Sequence, residues 1–600
     1  MKNIVKVGPK INQTIRKRWV IILLLTLSVP LNKCEDFLDK SPKGVTTTES
    51  FSDEKGVNFL LIGAYSTLDG AQMANQSYAA AGSTKNWPWN LASDDATKGS
   101  TAGDIIDIFY IERYEPTPDN PWVEYKWMIG YDGIARANEV LKALKIAEAI
   151  INNEAKINDL KAQARFIRGL WHFRLQKMYW QVPYISEDVD PKTVKNDHQI
   201  WPEIEADLQF AIDHLAESYP GEPGRPTKYA AMGIKAYAHL FQHEYTEAKA
   251  LLDNIINSNR FALMENYRDN FSVKTENNKE SIFEIQQSVN DGSGTSSSHA
   301  NMDSQLCNAY NRFLPVCCGF YQPTQDLVNA FKVDANGLPL LGINGPKFND
   351  ENLKNDYNIS VGTEFIPTDQ LVDPRLDQTI GRRGVDFLGW GIMTGAEWIR
   401  SQSFGGPYLQ KKLMYSKSEE TLAQNALFKR QHGTNYRYLR YARVLLWRAE
   451  CAVEEGDLET ARQLVNQVRR RAANPVNITM GRVLNYKYPS GPSDAIVDWN
   501  QPAANYLIKE YPTFPSKEYA REAVHMEQRL EFGMEGHRFF DLVRWGVDDK
   551  VLTEFIKNDS NFRYAMQGAI FTKEKNSRWP IPRRQLDAQP GILEQDPLWQ

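Results

Sequence analysis

Cysteine is scarce in this chain of 600 residues: there are five, and no two of them form a CxxC pair. The usual signatures of zinc sites and thioredoxin-type redox centres are therefore missing. The HExxH, GxSxG, P-loop and GxGxxG motifs are also absent, which leaves metalloprotease, esterase and nucleotide chemistry without support. Neither charge dominates, with 70 basic and 75 acidic residues, so nothing indicates binding to nucleic acid. We expect no metal and no cofactor.

Long hydrophobic runs are missing as well, apart from a short one near the N-terminus. Six basic residues precede the run from Trp19 to Val29, which has 11 residues. A helix needs about 20 apolar residues to cross a bilayer, so this run is too short. A basic flank and a short apolar core are typical of a signal peptide, and we assign residues 1–33 to it. A buried helix of the mature protein is the alternative.

A cysteine follows this run closely. Leu31 lies three residues before Cys34, an arrangement that predicts lipid attachment at Cys34. Two or more acyl chains anchor a protein to a membrane stably. Lipoprotein signals usually place a small residue directly before the cysteine, whereas this chain has Lys33 there.

The remaining cysteines are Cys307, Cys317, Cys318 and Cys451. Isolated buried thiols are the first expectation, and Cys451 lies inside a helical pattern. In an oxidising compartment, one disulfide among the first three is the alternative.

Hydrophobic periodicity divides the mature chain into helical ends and an irregular middle. We expect an N-terminal helical part at 34–270, a loop-rich insert at 271–431 and a C-terminal region at 432–600. Apolar residues recur at helical spacing in four early segments: 55–68, 122–150, 159–179 and 201–217. Another irregular stretch is expected at 474–516.

Two further segments, 228–257 and 438–473, have the pattern of helix–turn–helix pairs. Small residues where the helices cross, a turn at Gly456 and a closing Pro475 are typical of tetratricopeptide repeats. Stacked pairs bury apolar surface that a single pair cannot bury. We predict a mainly α fold with about four tetratricopeptide-like units and a large irregular insert. An unspecified helical bundle is the alternative.

Charged and apolar residues are mixed near the C-terminus. We predict one helix over 521–546, whose carboxylates and arginines form a partly buried ion-pair network with neighbouring helices. Opposite charges fall at helical spacing in Glu535–Arg538 and Asp541–Arg544. The segment 577–587 contains Trp579 and two prolines, which favours a tail clamped across a helical core.

Five segments carry a resemblance to a known family. They are CEDFLDKSP (34–42), GRPTKYAA (224–231), RVLLWRAE (443–450), LEFGMEGHRFFDLVRWG (530–546) and RWPIP (578–582). Together they resemble the SusD/RagB family of Bacteroidetes over nearly the whole mature chain. The resemblance implies a lipoprotein of the outer membrane that faces the cell exterior and is not an enzyme. It also implies a glycan ligand and a SusC-like TonB-dependent transporter as partner.

Candidate sugar contacts follow from side-chain chemistry. Flat aromatic rings cover the apolar face of a pyranose, while amides and carboxylates bond its hydroxyls. Three loops supply such groups, and the candidates are Asn86, Trp87, Trp89 and Asp94; Tyr310 and Asn311; and Trp390 and Trp398. Arg400 and Phe404 are close to the third loop in sequence. For Trp87 and Trp89, a core anchor is the alternative.

Two other functions remain open. A surface glycoside hydrolase or lyase needs paired carboxylates facing each other in a cleft, and the adjacent Asp94 and Asp95 pair poorly in an extended loop. An adapter that binds peptide or protein also fits, because tetratricopeptide grooves commonly do so.

Overall fold

The computed structural model describes most of the chain after residue 50. The described residues are 51, 53–70, 87–292, 304–310, 314, 317–343, 345–367, 369–424, 426 and 431–600. The signal peptide and three of the assigned residues, Cys34, Asn86 and Asn311, lie outside this set.

Helices dominate the described residues, and the predicted mainly α fold is confirmed. In chain order they are α1 (Glu54–Tyr65), α2 (Trp87–Asn90), α3 (Ile106–Glu112), α4 (Pro121–Ala147), α5 (Glu154–Tyr179), α6 (Trp201–His214), α7 (Lys228–Phe241), α8 (Tyr245–Asn257), α9 (Gln325–Ala330), α10 (Arg375–Thr379), α11 (Gln402–Gly405), α12 (Glu420–Ala423), α13 (Tyr441–Glu455), α14 (Leu458–Ala472), α15 (Lys517–Phe532), α16 (Arg538–Arg544), α17 (Asp548–Asp559), α18 (Lys573–Asn576) and α19 (Arg583–Ala588). None of these described helices is both long and apolar enough to span a bilayer.

The long helices pack as one stack in chain order. α4 lies between α1 and α5, and α5, α6, α7 and α8 then follow in turn. After the insert the chain returns in α13, which packs against α8, and α14 and α15 follow. Each helix thus covers the apolar stripe of the one before it, as in tetratricopeptide arrays. All eight helices that the periodicity predicts are present, and the two predicted pairs are α7–α8 and α13–α14.

Local signals set the ends of these helices. The Oδ1 of Asn120 accepts a hydrogen bond from the amide of Trp122 at 2.9 Å and so caps the start of α4. Gly456 ends α13 with a φ of +86°, a conformation that glycine adopts without strain. Asp457 then caps α14 by accepting from the amide of Thr460 at 3.1 Å. This tight turn folds α14 back along α13.

A glycine sets the spacing between α4 and α5. A Cβ at Gly133 would lie 2.2 Å from Nε1 of Trp171, so any side chain there would collide with the indole. That Nε1 also donates to Oγ1 of Thr67 at 3.0 Å. The side chain of Trp171 therefore joins α4, α5 and the short turn after α1 that contains Thr67.

The strands are short and pair two by two. Within the described residues, four antiparallel two-stranded sheets form. They are β1 (Ala96–Gly99) with β3 (Phe320–Pro323), β2 (Ser281–Ile285) with β6 (Tyr436–Arg440), β4 (Ile380–Gly381) with β5 (Leu409–Gln410), and β7 (Met480–Val483) with β8 (Val497–Pro502). The β7–β8 hairpin lies in the stretch that we expected to be irregular. The β2–β6 sheet ties the start of the insert to the strand that leads into α13.

The predicted single helix at 521–546 is wrong. The chain forms α15 and α16, and Gly533 follows α15 in an extended conformation. Met534 and Gly536 then have φ values of +65° and +83°. Such conformations cannot continue a right-handed helix, so the chain turns between the two helices.

The expected buried ion-pair network is present, and Glu531 is one of its centres. Its carboxylate contacts Arg471 at 2.5 Å, Arg440 at 3.1 Å and Arg375 at 3.3 Å. Arg375 also contacts Glu527 at 2.7 Å, so one cation bridges the two like-charged residues of α15. Burial alone would raise the pKa of Glu531, but the charges of Arg471, Arg440 and Arg375 outweigh it and hold the pKa at about 2.

The individual pairs differ in part from those predicted. Asp541 and Arg544 contact each other at 2.9 Å, as predicted. Glu535 contacts Lys412 at 2.8 Å instead of Arg538, because the turn before α16 separates Glu535 from Arg538. The network therefore joins α15 and α16 to distant parts of the chain rather than bracing a single helix.

The C-terminal tail is clamped across the helical core, as predicted. The amide of Trp579 donates to the carbonyl of Met178 at 3.0 Å. Its buried ring lies 5.2 Å from the ring of Trp89 and 5.7 Å from that of Phe539. The last residues thus close over α5 and α16.

The insert brings the sulfur atoms of the neighbouring residues Cys317 and Cys318 into contact. A disulfide among the cysteines of the insert stays a prediction. Cys307 and Cys451 are buried.

Candidate functional site

Three of the four candidate tryptophans do not form a sugar platform. Trp87, Trp89 and Trp398 are 3%, 0% and 0% exposed, and the first two lie on the short helix α2 rather than in a non-helical loop. Trp87 packs against Trp122 and Tyr321, and Trp398 lies in a core cluster of the insert. Their faces are covered by other side chains, which corrects the expectation that they contact a ligand.

Asp94 is also buried, and its charge is already neutralised. Its carboxylate accepts from Arg538 at 2.8 and 2.9 Å and lies 3.1 Å from Arg529. Burial would raise its pKa, but these two arginines hold the pKa of Asp94 at about 2. Asp95 contacts the same Arg529 at 2.9 Å. Asp94 therefore belongs to a core ion-pair network, and this corrects its assignment as a ligand contact.

The side chain of Trp390 is partly exposed, between the buried tryptophans and an open ring. Its Nε1 donates to the carbonyl of Tyr415 at 3.2 Å, and Nζ of Lys417 lies 4.4 Å from the ring centroid. The ring is half-buried, so it offers a ligand only part of its surface.

Tyr310 is the predicted aromatic residue that the structure leaves open to solvent, at 44% exposure. The guanidinium carbon of Arg400 lies 5.1 Å from its ring centroid. Arg400 also donates to Oγ of Ser100 at 2.8 Å and forms an ion pair with Asp104. We refer to Tyr310, Arg400, Ser100 and Asp104 as the Tyr310 cluster. It joins the second and third predicted segments and adds a loop that sequence reasoning missed.

A buried lysine fixes the loop that carries Ser100 and Asp104. Lys98 is buried and donates to the carbonyl of Thr101 at 2.6 Å. Its Nζ also lies 4.7 Å from the ring centroid of Phe404. Burial lowers the pKa of Lys98 to about 8. The ammonium group therefore holds the backbone of the loop from the protein side, away from any ligand.

The same loop stores backbone strain. Ser100 and Ile105 have φ values of +56° and +45°, and a β-branched residue such as Ile105 rarely adopts this region. Next to them, a Cβ at Gly99 would lie 2.4 Å from the carbonyl oxygen of Gly319. Each strained residue costs about 1–3 kcal/mol, and such residues concentrate at ligand sites. The strain is consistent with a loop shaped for contact rather than for stability.

A cavity of about 520 Å³ opens between the end of α1 and the end of β2. Tyr65, Glu222, Arg225 and Gln286 line it together with Gln287. Gln287 is buried, and neither atom of its amide group has a hydrogen-bond partner among the described residues. The NH₂ group of an amide can donate two hydrogen bonds and its oxygen can accept, so Gln287 is, among the described residues, an unpaired polar group in the wall of this cavity.

One group of described side chains has the spacing of metal ligands. Nδ1 of His239 lies 2.6 Å from Glu244, and its Nε2 lies 3.8 Å from Glu205. Gln242 also donates to Glu205 at 2.8 Å. The His239–Glu244 and Gln242–Glu205 hydrogen bonds, which link the α7–α8 turn to α6, account for the grouping.

Two family models match this sequence. The SusD family matches residues 279–599, and a family described as starch-binding and associating with the outer membrane matches residues 36–240. The first match covers more than half of the chain. The chain belongs to the SusD family.

Relatives of similar length support this assignment. SusD-like protein P25 of Formosa agariphila is 23% identical over 593 residues, which cover 96% of this chain and 98% of the relative. A SusD-like carbohydrate-binding protein of Bacteroides fragilis has a TM-score of 0.67 at 21% identity, covering 91% of this chain and all of that one. Surface glycan-binding protein A of Bacteroides thetaiotaomicron, in complex with laminarihexaose, has a TM-score of 0.64 at 19% identity and covers 90% and 99%. At these identities the structural likeness establishes the fold.

Proposed function

We propose that this chain is a cell-surface glycan-binding lipoprotein that captures an oligo- or polysaccharide and delivers it to a SusC-like TonB-dependent transporter. Family membership supports the proposal, as does the outer-membrane association in the description of the matching family. Two solved relatives are described as a laminarin-binding protein and as a complex with laminarihexaose. The predicted lipid on Cys34 would hold the protein at the membrane.

The observation that carries the proposal is the Tyr310 cluster. An open tyrosine ring provides the flat apolar face that a sugar ring needs. Around it, the Arg400 guanidinium donates hydrogen bonds and Asp104 accepts them, and both side chains are 31% exposed. Ser100 is buried and holds this pair in place, because its Oγ accepts from Arg400 and donates to Asp104, both at 2.8 Å. Because Arg400 is already held by Ser100 and Asp104, it loses little side-chain freedom when a ligand binds.

The buried carboxylates favour binding over catalysis. A general acid and a nucleophile must face each other across a substrate cleft. Asp94 and Asp95 instead share Arg529 in the core. We therefore propose that the protein captures its glycan without cleaving it.

Affinity electrophoresis against a panel of soluble polysaccharides tests the proposal. Laminarin is the first probe, and neutral and charged plant and algal glycans complete the panel. We expect at least one polysaccharide to retard the protein, without release of reducing sugar during prolonged incubation. Migration unaffected by every glycan would contradict the binding role, while release of reducing ends would favour a hydrolase.

A further inference from the structure

A second cavity has the lining of a sugar site. It lies between α9, the segment at 349–352 and α17, and has a volume of about 200 Å³. Six amide side chains contribute to its wall: Gln325, Asn329, Asn349, Asn352, Asn558 and Asn561. We call this cavity the amide pocket. We propose that it binds a single uncharged hexose unit of the captured glycan, an inference that rests on the proposed function.

The amides at one side of the pocket are held in fixed orientations. Nδ2 of Asn329 donates to Oδ1 of Asn349 at 2.9 Å and to Oδ1 of Asn352 at 2.7 Å. Gln325 donates to Oδ1 of Asn329 at 2.8 Å. Because the Oδ1 of Asn352 is occupied in this way, its Nδ2 remains as a donor. This side of the pocket is therefore organised before a ligand arrives.

The opposite side is formed by α17 and the residues after it. Asn558 is half-buried, and its side chain has no hydrogen bond to any described residue. Asn561 donates to the carbonyl of Lys557 at 3.1 Å, which leaves its Oδ1 as an acceptor. Sugar hydroxyls both donate and accept, so they match this combination of free amide groups.

The charges around the pocket select an uncharged ligand. Its carboxylates, Asp326 and Asp559, are paired with Arg529 at 2.7 Å and Arg563 at 2.5 Å. Among the described residues that line the cavity, none is lysine or arginine. An anionic sugar would find no free cation in this lining to pair with, so it would lose hydration without compensation. Uronic acids and sulfated sugars are therefore disfavoured.

The size and the apolar groups of the pocket limit the ligand further. Phe555 and Phe562 belong to the lining, and aromatic rings suit the C–H face of a pyranose. Pockets for drug-sized ligands are roughly 300–1,000 Å³, so a smaller cavity suits one ring. No member of the Tyr310 cluster lines the amide pocket, which makes the two sites separable by mutation.

Saturation-transfer difference NMR tests the pocket with D-glucose, D-galactose and D-mannose as probes and D-glucuronate as the charged comparison. The experiment uses Tyr310→Ala protein, so that the Tyr310 cluster does not contribute. We expect saturation transfer to at least one neutral hexose and a several-fold weaker signal for glucuronate. Adding Asn558→Trp, which fills the pocket, should abolish the neutral signal. Asn500→Trp, at an exposed position on β8, is the matched control and should leave it unchanged.

A second, smaller substitution tests the pocket in case the Asn558→Trp protein does not fold. Asn352→Ala removes the free Nδ2 donor, together with the Oδ1 that accepts from Asn329, without adding bulk. It should raise the hexose Kd, measured by titrating the saturation-transfer signal, about tenfold, the loss expected from one hydrogen bond of about 1.4 kcal/mol. Absence of signal from all three hexoses, or a signal that survives both pocket variants, would overturn the proposal. Polysaccharide retardation of the wild-type protein is measured in parallel. If no polysaccharide retards the wild-type protein, glycan capture is contradicted. If a polysaccharide retards it but no hexose binds, only the proposal for the amide pocket is contradicted.

Discussion

Glu531→Gln removes one negative charge from the buried network while preserving the shape of the side chain. In the wild-type protein, the Glu531 carboxylate is shared by Arg375, Arg440 and Arg471, and none of the four side chains is more than 4% exposed. After the substitution these cations lose a common partner in a site that water cannot reach. We expect a clear loss of stability, because removing one partner of a buried ion pair leaves a charge uncompensated.

The size of the loss can be estimated in two ways. Breaking a buried pair typically costs about 3–5 kcal/mol. A fall in the pKa of Glu531 from 4.5 to about 2 corresponds to about 3 kcal/mol through proton linkage. Unfolding entropy of about 2.1 cal/mol/K per residue, over residues 51–600, gives about 1.2 kcal/mol/K. The expected decrease in Tm is therefore about 3–4 °C.

Differential scanning calorimetry at neutral pH measures this decrease. Glu459→Gln is the matched control, because Glu459 pairs with Arg462 at the surface, where ion pairs contribute little. The pH dependence is a second readout. Since the folded-state pKa of Glu531 is lowered, its contribution is present above about pH 4.5 and is lost as the pH falls towards 2. The difference between wild type and Glu531→Gln should shrink over that range. Equal melting temperatures at neutral pH would refute the reasoning.

Two further substitutions test the packing by calorimetry. Gly133→Ala should lower Tm by about 1–3 °C, because the new Cβ would collide with Trp171 and overpacking costs about 1–3 kcal/mol. Gly63→Ala is the control, because a Cβ there meets nothing within 4 Å, and it should stabilise the protein slightly. A Gly133→Ala protein as stable as wild type would contradict the close approach of α4 and α5. Trp579→Ala should lower Tm by about 3–4 °C, because truncating a buried tryptophan costs about 3–5 kcal/mol. Trp499→Ala removes an exposed ring and should change Tm far less. Equal decreases in Tm for Trp579→Ala and Trp499→Ala would argue against the clamped tail.

The helical stack could be predicted because its signal is local. The apolar stripes of α1 and α4–α8 recur every three or four residues, and each needs only a neighbouring stripe to cover it. The turn at Gly456 was also visible, since glycine marks the end of a helix. The break between α15 and α16 was missed because charged and apolar residues continue through it. Only the backbone conformations of Met534 and Gly536 reveal the turn.

The candidate site was harder to predict because it depends on long-range contacts. Arg400 reaches Asp104 across 296 positions of sequence, and no local pattern indicates that contact. Tryptophan serves both cores and ligand sites, so the sequence of α2 could not show that Trp89 packs on Trp579. Asp94 looked like a ligand contact because its partners, Arg529 and Arg538, lie far along the chain. Burial, rather than residue type, separates Tyr310 from the other candidates.

Isothermal titration of Tyr310→Ala with the glycan that retards the wild-type protein tests the central claim most directly. Truncating an aromatic anchor at a binding site costs about 2 kcal/mol or more, so we predict a Kd raised about 30-fold. Trp499→Ala removes an even more exposed ring elsewhere, at 56% exposure against 44% for Tyr310, and should bind as the wild type does. A Tyr310→Ala protein with wild-type affinity would contradict the claim that the Tyr310 cluster captures the glycan.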